Sequence, residues 1–190
     1  MDYEVISRCE RINVVGTSGS GKSTFGRELA EILGLPFYEI DQLFWKPDWQ
    51  ETADEELLAK IQAVCSQPRW ILDGNYTRTI PTKWQHVQCV VWLDLSLVRT
   101  VWRVTKRALS RCLSKKELWP GTGNRETIRK VFFSKDSIIW WAITSYGTNR
   151  KNYTAMMASP DYSHIRFLRL RSPKSIAACL EEMRQMRTTL

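Results

Sequence analysis

The chain is poor in histidine and has no paired cysteines. Its 190 residues include two histidines, and five cysteines that never fall in a C-x-x-C pair: Cys9, Cys65, Cys89, Cys112 and Cys179. That spacing excludes a disulfide framework and a zinc site, and predicts a reducing, cytoplasmic setting. His86 and His164 stand far apart in sequence, so neither reads as a metal ligand. Long apolar runs are missing as well. The longest, Ile138–Ile143, is six residues, against the roughly 20 that span a bilayer. The opening MDYEVISRCERINVV places acids where a secretory leader needs basic and then apolar residues. No internal repeat or low-complexity linker divides the chain, so residues 1–190 read as one domain.

Basic residues and tryptophan are plentiful instead. There are nine tryptophans, and the net charge is +8 with a pI near 9.4. The charge is unevenly spread: residues 1–95 sum to −5 and residues 96–190 to +13. Residues 99–151 alone carry 13 basic and 3 acidic side chains. Such a block calls for an anionic partner, be it a nucleic acid, a membrane surface or a phosphorylated metabolite.

Apolar runs at 11–15, 37–40, 70–72, 89–93 and 165–170 read as strands. Helical patterns lie between them. Phe25, Leu29, Ile32 and Leu33 make one stripe, closed by Gly34 and Pro36. Thr52 and Glu55 have capping-box spacing ahead of Leu57, Leu58, Ile61, Val64 and Cys65. Val98, Val101, Trp102, Thr105 and Leu109 form another stripe, which predicts a buried face with Trp102 in the core. Helices are further expected near 125–133, 136–157 and 174–187. Strands alternating with helices predict a three-layer α/β/α architecture around a five-stranded parallel sheet. The basic segment 99–151 reads as a helical insertion within it.

Residues 16–24, GTSGSGKST, match G-x-x-x-x-G-K-[ST] between an apolar strand and an amphipathic helix. This pattern binds nucleotide phosphates. Gly16, Gly19 and Gly21 let the backbone turn its N–H groups inward, with Thr17, Ser18, Ser20 and Thr24 completing the cradle. The helix N-terminus adds its positive end. Lys22 reaches the outer phosphates of ATP, and the Ser23 hydroxyl faces Mg²⁺. A carboxylate must complete the metal site, and two strands end in one: Asp73 and Asp94. Spacing alone leaves both open, although Asp94, just before a helix, also suits a cap.

The segment LDGNYTRT (72–79) resembles the L-D-G-[FY]-P-R-[ST] stretch of adenylate kinases. That resemblance implies Asp73 as the Mg²⁺-associated carboxylate and Arg78 as a phosphate contact, with one extra residue before Arg78. It also implies the P-loop kinase strand order 2-3-1-4-5. IDQLFWKPDW (40–49), DGNY (73–76) and LRLRSP (168–173), with the phosphate loop, resemble an adenylate kinase-like branch whose members also carry the label DNA topology modulation protein. By the same resemblance Arg171, in the loop after the last strand, is a nucleotide contact.

No acceptor-binding T-G-D-[LM]-[LI]-R segment is found. Instead Glu39 and Asp41, two apart at a strand end, are similar to the D-x-D of shikimate kinases. Asp41 is then the group that orients and deprotonates an accepting hydroxyl, walled by Leu43, Phe44, Trp45 and Trp49. Arg99, Arg103, Arg107 and Arg111 recur every four residues, a row that repels itself unless an anion lies against it. Arg103 and Arg107 match a lid R-x-x-x-R and would stabilise charge on the transferred group. Lys115-Lys116 and residues 119–123 read as the moving part of the lid. The expected activity is ATP·Mg²⁺-dependent phosphorylation of a small acceptor, a nucleotide or nucleoside. The alternatives are kinase action on a non-nucleotide hydroxyl metabolite, and an ATP-binding nucleic-acid regulator in which Trp102, Trp119, Trp140 and Trp141, interleaved with basic side chains, stack on bases.

Overall fold

The computed structural model describes residues 3–114, 117–134 and 137–188. Helix α1 (Glu4–Ser7) precedes β1 (Arg11–Gly16), α2 (Lys22–Leu33), β2 (Phe37–Glu39), α3 (Ile40–Phe44) and α4 (Asp54–Cys65). Next come β3 (Trp70–Asp73), α5 (Ile80–Lys83), β4 (Cys89–Leu93) and α6 (Leu97–Ser114). The chain closes with α7 (Ile128–Phe133), α8 (Ile138–Ala158), β5 (Arg166–Leu170) and α9 (Pro173–Thr188). The five strands form one sheet in the order β2-β3-β1-β4-β5, every pairing parallel. This is the predicted sheet and the predicted order.

Strand residues alternate between two cores, one on each side of the sheet. Ile12, Val14, Ile71, Cys89, Val91, Leu93, Leu168 and Leu170 face Phe25 and Leu29 of α2 and Cys179, Leu180 and Met183 of α9. Val15, Trp70, Leu72, Val90 and Trp92 face Leu57 and Ile61 of α4, Trp84 and Tyr153. Helix α2 stops where predicted: Gly34 takes φ +63°, and its N–H reaches the Ala30 carbonyl.

Three local expectations are corrected. The Thr52–Glu55 capping box does not form. Ala53 is the N-cap of α4, and the Thr52 hydroxyl donates instead to the Leu43 carbonyl at 3.1 Å, tying α3 to α4. Asp41 is not at a strand end: β2 stops at Glu39, and Asp41 lies in the first turn of α3. The largest correction concerns α6. Its buried positions are Thr100, Val104 and Ala108, whereas Trp102 is 68% exposed and Val98 and Leu113 are each 81% exposed. The helix is amphipathic with the sense reversed, because small residues are what allow it to lie against the phosphate loop. A Cβ on Gly19 would stand 2.5 Å from the Thr100 carbonyl oxygen and 3.0 Å from the Val104 Cβ. Bulky Trp102 therefore goes to the outside.

Candidate active site

The carboxyl ends of β1 and β3 open onto the glycine loop, the position where parallel sheets place ligands. Gly16 is the last residue of β1, and Gly21, at φ +96°, is the N-cap of α2. A side chain at Gly21 would meet the Arg103 guanidinium at 2.9 Å. Arg103 thus lies directly on the loop. Ser20 Oγ is buried there without a hydrogen-bond partner.

Of the two strand-end carboxylates, Asp73 faces this loop. The Ser23 hydroxyl donates to Asp73 Oδ2 at 2.5 Å. Burial pushes the Asp73 carboxyl up from its ordinary pKa, against the pull of Lys22 and the Ser23 hydrogen bond. Its other oxygen, Oδ1, is buried with no hydrogen-bond partner. An orphaned carboxylate oxygen beside a serine hydroxyl is a hard-oxygen set that fits Mg²⁺. Asp94 is engaged elsewhere. Arg169 donates two bonds to Asp94 Oδ2, at 2.9 and 2.6 Å, with Arg150 at 3.4 Å and Arg171 at 3.8 Å from the same oxygen. In place of a helix cap, Asp94 anchors α8 to the end of β5.

Loss of hydration lowers the Arg107 pKa; Arg111 adds to this, while Glu126, Asp41 and Asp73 oppose it. Asp41 accepts a hydrogen bond from the Tyr76 hydroxyl at 2.8 Å. Burial raises the Tyr76 pKa and the Asp41 charge raises it further, so Tyr76 stays protonated as donor. Glu39 is bonded to Arg27, and burial raises its pKa. Arg78 does not turn to the loop. It pairs with Asp54 at 2.7 Å and lies 5.1 Å over the Phe44 ring.

Phe44, Trp45, Trp49 and Trp119 form one run of ring contacts, and Leu43 packs against the core cluster that holds Phe44. Trp45 stacks on Trp119 at 6.2 Å between centroids, and Trp49 meets Trp119 edge-on at 6.0 Å. Trp119 is thus fastened to the loop that carries Trp45 and Trp49. Asn124 completes the fastening: its side chain accepts from the Trp49 N–H at 2.9 Å and donates to the Lys46 carbonyl at 2.9 Å. Lys115-Lys116 lie outside the described residues.

Three supporting residues carried no role in the sequence analysis. Asn75 binds Gly16 through both ends of its amide, each bond 2.9 Å, and accepts from the Tyr153 hydroxyl at 3.2 Å. Asn13 donates to the Leu72 carbonyl at 2.8 Å and accepts from the Trp84 indole at 2.9 Å. Lys83, fully buried, donates to the carbonyls of Gly74 at 3.0 Å and Asn75 at 2.6 Å. Desolvation lowers its pKa to about 7. The DGNY pattern marked Asn75 as part of a motif, but nothing in the sequence signalled Lys83, a lysine among ordinary turn residues.

Sheet order and phosphate loop together define a P-loop fold. Within it, residues 18–57 match the family model described as Shikimate kinase, which covers the end of the loop, α2, β2 and Asp41. Among solved structures, shikimate kinase from Acinetobacter baumannii in complex with shikimate aligns with TM-score 0.59 at 15% identity, over 98% of this chain and 97% of that one. Deoxyadenosine kinase from M. mycoides, with dCMP and dCDP bound, gives 0.54 at 13% identity over 94% and 98%. A gluconokinase from Sinorhizobium meliloti 1021 gives 0.50 at 18% identity over 95% and 92%. These likenesses are of fold. One curated protein, Glucoamylase-1 of Arthroderma benhamiae, is 27% identical over 107 residues, which is 54% of this chain and 15% of that protein. The chain thus spans a small part of that relative.

Proposed function

We propose that the protein transfers the γ-phosphoryl group of ATP to a hydroxyl of a small acceptor. The observation that carries this reading is the Ser23–Asp73 pair, with Asp73 Oδ1 unpartnered beside Lys22 and within the charge field of Arg107 and Asp41. The loop amides of residues 16–24 and Lys22 hold the triphosphate. Ser23 and Asp73 would hold Mg²⁺, which when bound neutralises charge on the phosphate oxygens. Arg103 and Arg107 face charge that develops on the transferred group. Asp41 orients the accepting hydroxyl and takes its proton, with Tyr76 fixing the carboxylate. Arg171, at the end of β5, borders the nucleotide side. Arg78, held by Asp54 and Phe44, steadies the acceptor wall. The segment matched by the Shikimate kinase model contains Asp41, which supports a hydroxyl acceptor. Five free thiols and no helix long enough to cross a membrane, among the described residues, fit the cytoplasmic setting of this reading.

Coupled ADP release over an acceptor panel tests the proposal. Acceptor-dependent turnover that disappears in Lys22→Ala is the expected result. ATP consumption indifferent to every acceptor and to Lys22 would sink it.

One observation favours a second reading. Trp102, Trp140 and Trp141 are exposed among basic side chains, a surface suited to stacking bases and contacting phosphates. Binding to single-stranded DNA that weakens steeply with salt and is lost in Trp102→Ser would support it.

A further inference from the structure

Glu126 is anomalous within the cleft. Its side chain is 9% exposed; Oε1 accepts from Arg111 at 3.1 Å, and Oε2 is buried with no hydrogen-bond partner. A buried carboxylate oxygen left bare is costly unless something donates to it. Glu126 lies just past Asn124, which fastens its segment to the acceptor loop, and its charge acts on Arg107 together with those of Asp41 and Asp73. The bare oxygen therefore belongs to the acceptor side of the cleft.

Three of the described cations near that side are already paired. Arg27 is held by Glu39, Arg78 by Asp54 at 2.7 Å and Arg111 by Glu126 at 3.1 Å. Arg103, on the loop, and Arg107 are assigned above to the transferring phosphate. None of these five is left for a phosphate or carboxylate on the acceptor, which binds best to an unengaged guanidinium. On the loop that Asn124 binds stand Trp45 and Trp49, which with Trp119 form a cluster of half-buried rings. A site with carboxylates, committed arginines and tryptophan faces selects an uncharged ring that bears hydroxyls.

We infer that Glu126 is a specificity-determining residue: its Oε2 accepts a hydrogen bond from a hydroxyl other than the one phosphorylated, on an uncharged polyhydroxy ring such as a sugar or nucleoside. The inference rests on the kinase reading and narrows its acceptor. A site built to pair a hydroxyl discriminates strongly against the analogue lacking it.

The test uses the full chain in two measurements. Coupled ADP release is recorded with free sugars, nucleosides, nucleoside monophosphates and hydroxy-carboxylates. Calorimetry then titrates the best acceptor, and its single-deoxy analogues, into protein holding a non-hydrolysable ATP analogue. Turnover with an uncharged member is expected, and the sugar and nucleoside arms separate those two sources. One deoxy analogue should bind the wild type about tenfold or more weakly than its parent, yet bind Glu126→Gln about as well as the parent does. The KM for ATP should hold steady in Glu126→Gln while the acceptor KM rises. The wild-type deoxy series needs no variant, so the inference stays testable if Glu126→Gln folds poorly. Turnover confined to anionic acceptors leaves the kinase reading standing and overturns this inference, as does a deoxy series with no weakened member. Turnover with no acceptor at all overturns the kinase reading and this inference with it.

Discussion

The ground beneath the phosphate loop and the outer face of α6 and α8 are built on opposite rules. Under the loop, buried side chains are tied into the backbone and to each other: Asn13 to Trp84 and Leu72, Asn75 to Gly16, Lys83 to two carbonyls. On the outer face, large apolar side chains stand in solvent: Val98, Trp102, Leu113, Trp140 and Trp141. In the first region tryptophan is a structural strut, and its indole N–H has a specific acceptor. In the second it is bare surface beside arginines. Tryptophan count alone therefore says nothing of core size here, because the same residue type serves both regions.

That contrast can be broken experimentally. Trp84→Ala should cost about 3–5 kcal/mol of unfolding free energy, since it opens a large cavity and strands the Asn13 amide; a denaturant midpoint close to wild type would contradict it. Lys22→Ala should reduce turnover by about 10²–10³ without changing the melting temperature, in line with removing one charged donor from a transition state. Lys83 gives a signed pH effect. Its folded pKa, about 7, lies below the ordinary 10.5, so the unfolded chain binds the extra proton between those values. Stability should rise with pH from about 7 to 10.5, by at most about 1.4 kcal/mol per unit from this group. Urea unfolding at several pH values should show that slope in wild type and lose it in Lys83→Met. Asn124→Ala removes two bonds between the segment after α6 and the acceptor loop, so the acceptor KM should rise several-fold with little change in the KM for ATP. Smallest of all, Trp102→Ser should move stability by no more than about 0.5 kcal/mol, because its ring is in water. A large loss there would mean that the outer face of α6 is covered.

The buried sheet and its loop were plain in the sequence, for a physical reason. Strands covered on both faces read as unbroken apolar runs, and a glycine loop before a helix has few other uses. Asp73, too, was picked out over Asp94 by its resemblance to a known pattern, where spacing alone left both open. Helix α6 was misread because periodicity reports which residues share a face, not which face is buried. Thr100, Val104 and Ala108 won the inner side through close approach to Gly19, a steric demand invisible in hydropathy. Arg78 and Thr52 were misplaced because each found a partner in another part of the fold, Asp54 and Leu43. Lys83, Asn124 and Glu126 depend wholly on long-range contacts, which no spacing rule encodes.

Asn75 has one consequence for the order of events. Its amide is bonded both ways to Gly16, and its neighbour Tyr76 holds Asp41. A triphosphate that tightens Gly16 would therefore be linked through one peptide segment to Asp41, the carboxylate proposed to meet the acceptor. Thermodynamic linkage makes the effect reciprocal: if the first ligand improves the affinity of the second, the second improves that of the first by the same factor. Coupling between the two proposed ligands would then run through two adjacent side chains, and Asn75→Ala should leave them binding independently.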